Sequence, residues 1–159
     1  MSRRFRSTER FLKPDPRFRN KVVSKFINGM MWGGKKSVAT NIFYRVIGQI
    51  EKKLQGVEPL EVFLKAIENV KPKIEVRSKR VGGATYQVPL EVPPRRQQSL
   101  AFRWIIGAAR NKKGRPMFAK LADELVGAYN SEGEAFKKKQ DVHKMAEANR
   151  AYAHFGWNR

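Results

Sequence analysis

The sequence predicts a mainly α-helical fold: a six-helix bundle with a projecting two-stranded antiparallel β-ribbon between helices three and four. Two observations carry that prediction. Apolar residues recur at helical spacing through almost every periodic segment. The exception is 71–94, KPKIEVRSKRVGGATYQVPLEVPP, where two runs of strand formers flank Gly82-Gly83 and prolines fence both ends. Two strands alone are marginal in water and need something to lie against, and no second pair is available to complete a sheet.

The first helix is predicted over 20–31, where Val22, Val23, Phe26, Ile27, Met30 and Met31 form one apolar face before Gly33-Gly34 ends it. A second runs over 36–54 with Val38, Ile42, Val46, Ile50 and Leu54 in line. After Gly56, Pro59 opens a third helix, whose Leu60, Phe63, Leu64, Ile67 and Val70 point inward and which stops before Pro72. Beyond the ribbon, Pro93-Pro94 opens a fourth helix reaching Arg110, with Leu100, Trp104, Ile105 and Ala108 inward. Phe118, Leu121, Ala122, Leu125, Val126 and Tyr129 mark the fifth. Ser131 and Glu134 have the spacing of a capping box, so the sixth begins there; its few large apolar residues place it on the surface. The end, 150–159, is an aromatic, irregular tail.

The register of the ribbon turns on its loop. A two-residue Gly82-Gly83 loop sets Val76 opposite Pro89 and Ile74 opposite Glu91. A three-residue loop, Val81-Gly82-Gly83, instead gathers Ile74, Val76, Val88 and Leu90 on one face. The latter is expected, because it leaves an apolar base for the bundle and turns Arg77 and Lys79 toward a partner.

Composition names the partner's charge. The chain has 159 residues, 34 Lys+Arg against 14 Asp+Glu, and a formal net charge of +20. Self-repulsion on that scale opposes compaction, so a polyanion in the working state is expected, and nucleic acid fits better than an anionic membrane. The surplus is also lopsided. Residues 1–25 hold nine bases against Glu9 and Asp15, and 97–120 hold six with no acid, whereas 121–159 are balanced six to six. No apolar run approaches a membrane span, and MSRRFRSTER lacks a signal-peptide core, so it reads as a basic arm. The absence of cysteine excludes disulfides and thiolate zinc sites.

Catalysis finds no footing. Gly29–Lys36 comes close to a phosphate-binding loop, but Lys36 stands where magnesium needs Ser or Thr, and a helix precedes it where a strand is required. His143 and His154 are the only histidines and have no metal-ligand spacing. Asp123 and Glu124 are adjacent on a helix and diverge. No cofactor is expected. Binding chemistry is better represented. Lys35 and Lys36 at a helix N-terminus sit against the positive end of the macrodipole, a liability that a phosphate on the free N–H groups of Gly34–Ser37 would relieve. Arg96, Arg103 and Arg110, seven apart, share one side of the fourth helix in a stretch, 92–122, without acids. Lys137–Lys139 lie among acids and read equally as a solvated face. Tyr152, Phe155 and Trp157 fit two roles, stacking on bases or packing on the bundle.

Three segments carry a resemblance: DPRFRNKVVSKFINGMMWGGKKSVATNIFY (15–44), VRSKRVGGATYQVP (76–89) and MAEANRAYAHF (145–155). In this order they resemble the bacterial and organellar small-subunit ribosomal protein seven family over essentially the whole chain. The resemblance implies one RNA-binding domain over 1–159, with a basic arm (1–18), a hairpin arm (71–92) and a tail (150–159). It implies a structural constituent of the small ribosomal subunit, a primary binder of small-subunit rRNA that nucleates folding of the 3′ major domain, which becomes the head. Neighbouring small-subunit proteins would be partners, the ribbon would lie near exit-site tRNA, and some members repress translation of their own operon's mRNA. Family RNA contacts would fall on Arg3, Arg4, Arg6, Arg10, Lys35, Lys36, Arg77, Lys79, Arg80, Arg95, Arg96, Arg103, Arg110, Lys112, Lys113 and Arg115. Nearest tRNA would be Arg80, Val81, Gly82, Gly83, Ala84 and Lys144. Location would be the cytoplasmic ribosome, or the matrix or stroma of an organelle. Gly156 replaces an arginine usual in the family, and Arg45 a usually small residue.

Two other readings fit the sequence less well. An architectural DNA-binding protein would need an apolar wedge at the ribbon tip, and Val81-Gly82-Gly83-Ala84 offers little. An RNA-modifying enzyme lacks a residue constellation to do the work.

Overall fold

The computed structural model describes residues 11–156. Six α-helices run in the order α1 (Lys21–Met30), α2 (Lys36–Lys53), α3 (Pro59–Val70), α4 (Pro94–Asn111), α5 (Met117–Tyr129) and α6 (Glu134–Ala148). Strands β1 (Ile74–Val81) and β2 (Ala84–Glu91) form the antiparallel ribbon between α3 and α4. The mainly helical fold with one hairpin is the one the sequence predicts. The tail departs from expectation: Arg150–Gly156 is a 3-10 helix rather than an irregular strand of chain.

Helix α5 occupies the centre and packs on α2, α3, α4 and α6. Its Leu121, Ala122, Leu125 and Ala128 are buried. At the other end of the core Phe26 meets Phe63, Phe102 and Phe43 with ring centroids 5.1, 5.2 and 5.9 Å away, the first two pairs edge to face. That geometry sets positive ring edges on negative faces and adds to the area these rings bury. Helix α2 turns a different side inward than a straight i, i+4 line suggests. Ala39, Phe43, Val46, Ile47 and Ile50 are buried, while Val38 is 52% exposed. A line of fours drifts around a 3.6-residue helix, so it cannot stay inward for four turns.

Local signals set the helix ends. Asn20 caps α1, its Oδ1 accepting the Val22 N–H at 2.7 Å. Just upstream, buried Asp15 accepts the N–H groups of Arg17 and Phe18 and the Tyr44 hydroxyl. The root of the N-terminal arm is therefore fastened to α2, well before residue 18. Burial and the Asp15 carboxylate together raise the Tyr44 phenol above its ordinary value. The expected capping box at α6 is not formed. Ser131 takes a left-handed φ of 63°, Gly133 is the N-cap, and no side chain there caps the helix. The acceptor comes from α5: Glu124, 1% exposed, takes the Ala135 N–H on Oε1 at 2.8 Å.

The ribbon closes with the two-residue loop, which overturns the expected register. Val81 pairs with Ala84, Val76 with Pro89 and Ile74 with Glu91. Gly82 and Gly83 have φ of 57° and 88°, the left-handed pair of a turn whose twist matches the strands. One residue of slip exchanges faces along the strand. Glu75, Arg77 and Lys79 therefore share a face with Tyr86, Val88 and Leu90, so Arg77 and Lys79 lie with the apolar positions and not opposite them. The tail covers this face, with Tyr152 and Phe155 each 5.1 Å from the Tyr86 ring.

Candidate nucleic-acid interface

Helix α4 positions the central cations. Arg96, Arg103 and Arg110 are all exposed along one side, spanning about 21 Å at 1.5 Å per residue. At the first end, Arg96 donates Nε to both Glu75 carboxylate oxygens, at 2.9 and 2.8 Å. Arg77 donates its own Nε to the same carboxylate at 2.6 Å. At the far end, the Arg110 guanidinium donates to the Met30 carbonyl at 3.0 Å and lies 5.3 Å over the Trp32 ring. Trp32 is 80% exposed and leads into Gly33, Gly34, Lys35 and Lys36. Lys35 and Arg110 line one groove of about 290 Å³ with Trp32, Val38 and Met117. The cationic row on α4 thus runs from the ribbon base to the α1–α2 loop, with Arg103 between. Near Arg103, Lys138 of α6 lines the same shallow groove, with Glu134 as its acid.

The α1–α2 loop uses two of the amides expected to be free over Gly34–Ser37: the Lys35 N–H donates to the Trp32 carbonyl at 3.1 Å and the Lys36 N–H to the Gly34 carbonyl at 2.8 Å. Helix α2 has no side-chain cap, and Lys35 and Lys36 are exposed. Among the described residues, Lys35, Lys36, Arg80, Arg103 and Lys113 make no ion pair or hydrogen bond through their side chains. Ribbon tip residues Arg80, Gly82, Gly83 and Ala84 are exposed, as is Lys144 near the end of α6. Arg3, Arg4, Arg6 and Arg10 lie outside the described residues.

Several other expected contacts have internal partners. Lys112 sits 2.6 Å from Glu124 Oε2, an ion-pair contact without hydrogen-bond alignment, so the ammonium compensates a buried charge. Arg115 binds Asp123 at 2.8 Å, and Lys53 binds the same carboxylate. These cations, the Lys53 hydrogen bond first, hold the Asp123 carboxyl below its ordinary value. Lys79 donates to the Phe155 carbonyl at 2.6 Å, fastening the tail. Arg45 lies 5.8 Å over Phe118, which gives that unusual residue an intramolecular role. Tyr152 and Phe155 are committed to the ribbon, and Gly156 lets the tail pass so close that a Cβ there would stand 2.6 Å from Leu90 Cδ2.

Sequence reasoning missed Glu75, Trp32 and Glu124. A lone acid at an alternating strand position between basic neighbours was the available signal for Glu75. For Trp32 it was a tryptophan next to a glycine pair that ends a helix. Among the described residues no group of acids and histidines could hold a metal. His143 Nε2 accepts the Lys73 N–H at 3.1 Å, and burial, followed by the charges of Lys139 and Lys73, lowers its pKa. Among the described residues no helix is long and apolar enough to cross a membrane.

The profile of the family described as ribosomal protein S7p/S5e matches residues 2–150. The chain is 57% identical over 155 residues to the small ribosomal subunit protein uS7 of Pseudothermotoga lettingae, covering 98% of this chain and 99% of the relative. The same identity and coverage hold for the uS7 proteins of Thermotoga maritima and Campylobacter concisus.

Proposed function

As the chain belongs to the ribosomal protein S7p/S5e family, a structural and not an enzymatic family of the small ribosomal subunit, we propose that it is a primary binder of small-subunit rRNA. In this reading it nucleates folding of the 3′ major domain and stays in the subunit head, in contact with neighbouring small-subunit proteins. The observation that carries the reading is the continuous row Arg96–Arg103–Arg110, which joins the ribbon base to Lys35 and Lys36. A-form RNA hides its base edges in a deep major groove, so cations held at fixed spacing read the shape of a folded junction. The whole chain acts as one RNA-binding unit, with Arg3, Arg4, Arg6 and Arg10 adding phosphate contacts. The exposed tip of the ribbon, with Arg80, faces exit-site tRNA. The same surface binds the mRNA of its own operon where translation is repressed. Its bacterial relatives support the cytoplasmic ribosome over an organelle.

Affinity for an isolated 3′ major domain, with duplex DNA and an unrelated folded RNA as competitors, tests the proposal. Nanomolar binding that resists both supports it. If about eight phosphates are engaged, log K falls with log salt at a slope of roughly −6 to −7. A slope shallower than about −2, or equal competition by duplex DNA, refutes it and favours a generic polyanion binder.

A further inference from the structure

We propose that Glu75 is a positioning residue that holds Arg77 and Arg96 as a paired-guanidinium clamp for one backbone phosphate of the bound RNA. The inference rests on the RNA-binding reading above and adds to it a residue of the wrong sign. An acid in a cationic binding face weakens a polyanion's attraction, so its presence there needs a reason. Glu75 is inward, with its side chain 11% exposed, while the Arg77 and Arg96 side chains are 52% and 42% exposed. Both arginines approach it through Nε, at 2.6 Å and at 2.8–2.9 Å. Among the described residues, the Nη groups of neither arginine are engaged elsewhere.

Geometry and charge then work together. Two guanidinium groups from separate elements, β1 and α4, repel when brought together, and long side chains lose rotamer freedom when fixed. One carboxylate between them offsets the repulsion and fixes the plane of each fork. The triad keeps a net positive charge, and its Nη edges remain for a phosphate, the acceptor that planar forks match best. Arg77 and Glu75 are two apart on one strand, so their pairing does not tie the ribbon to the bundle. Only the Arg96 contact does that. This difference separates positioning from simple fastening.

The test is binding of the full chain to the isolated 3′ major rRNA domain by Glu75→Gln, Arg77→Gln and the double variant. Simple electrostatics predicts that removing an acid tightens binding. The clamp predicts the reverse: Glu75→Gln weakens binding about three- to tenfold, Arg77→Gln does the same, and the double variant loses less than the product of the two single losses. Tighter or unchanged binding by Glu75→Gln overturns the proposal, as do losses that multiply in the double variant. Should Glu75→Gln fail to fold, Arg77→Lys decides, since it alters an exposed side chain and keeps the charge while removing the fork. A loss matching Arg77→Gln supports the clamp, and wild-type affinity overturns it. Failure of the wild-type chain to prefer this RNA would be seen first and would refute the RNA-binding reading, and the clamp with it.

Discussion

Replacing Glu124 with alanine tests whether Lys112 serves the fold before it serves RNA. The carboxylate is 1% exposed and has two partners, the Ala135 N–H at 2.8 Å and the Lys112 ammonium at 2.6 Å. Truncation strips the first turn of α6 of an acceptor, and an unsatisfied buried amide costs about 1–3 kcal/mol. The void left beside Gly133, which has no Cβ to fill it, adds about 1 kcal/mol. Freeing Lys112 costs less, because its side chain is 37% exposed and can turn to water. The expected loss is about 3 kcal/mol, which for a chain of this size lowers Tm by about 6–12 °C.

Companion variants sharpen the reasoning. Glu124→Gln keeps an oxygen for the Ala135 amide and is expected to lose about half as much. Lys112→Ala leaves the carboxylate without its counter-charge but opens it to water, and is expected to cost about 2 kcal/mol. Urea unfolding followed by far-ultraviolet circular dichroism measures all three. The reasoning fails if Glu124→Ala costs under about 0.5 kcal/mol, within the ordinary scatter of surface substitutions. It fails equally if Lys112→Ala lowers RNA affinity while leaving stability unchanged.

Three further outcomes are expected. Arg103→Glu, at an exposed site without an internal partner, lowers rRNA affinity at least about tenfold and flattens the salt slope by about one, with Tm unchanged; filter binding across a salt series measures both. His143 has a pKa lowered below its ordinary 6.5, so the unfolded chain takes up its proton first as pH falls. Stability contributed by neutral His143 is thus present above pH 6.5 and lost below it, and thermal midpoints from pH 7.5 to 5.5 fall less for His143→Gln than for wild type. Gly83→Ala forces a side chain into φ of 88° at a cost of about 1–2 kcal/mol. That cost stays in the ribbon, seen as faster amide exchange in β1 and β2 with the helices unaffected.

What the sequence disclosed follows from what each signal measures. Helical period is local, so all six helices were legible, and so was the hairpin, because a glycine pair between strand formers is unambiguous. Its register was not. The choice of loop gathered Ile74, Val76, Val88 and Leu90 on the supposition that apolar residues alone face inward. In the structure the inward position on β1 is Glu75, held by Arg77 of its own strand and by Arg96 of α4; the lone acid between basic neighbours is a local hint, but the partner 21 residues away leaves no local pattern. The capping box failed for a related reason. Ser131 and Glu134 had the spacing, but a buried carboxylate on α5 reached the first turn of α6 instead, and the left-handed turn at Ser131 removed the serine from the cap. Composition gave the sign of the charge and its crowding on α4. It could not tell Arg103, open to a partner, from Lys112, held by Glu124.

That division among the cations bears on how the interface achieves specificity. A free lysine supplies charge to any phosphate within reach, and so contributes to every polyanion alike. A guanidinium already held in place loses little further freedom on binding and favours only phosphates at its own position and angle. Arg96 is held at one end of α4 by Glu75, and Arg110 at the other by the Met30 carbonyl and the Trp32 ring. Between them Arg103 has no internal partner among the described residues, and beyond them Lys35 and Lys36 stand where the chain enters α2 and Arg80 near the ribbon tip. The two held arginines are fixed points about 21 Å apart, with the cations that lack internal partners around them. On the proposed RNA-binding reading, selectivity for one folded RNA would belong to the ends of α4, and most of the salt dependence to the cations without internal partners. Affinity and selectivity should therefore separate: loss of a loop lysine weakens all RNAs together, whereas loosening either end of α4 without removing charge narrows the gap between the cognate junction and its competitors.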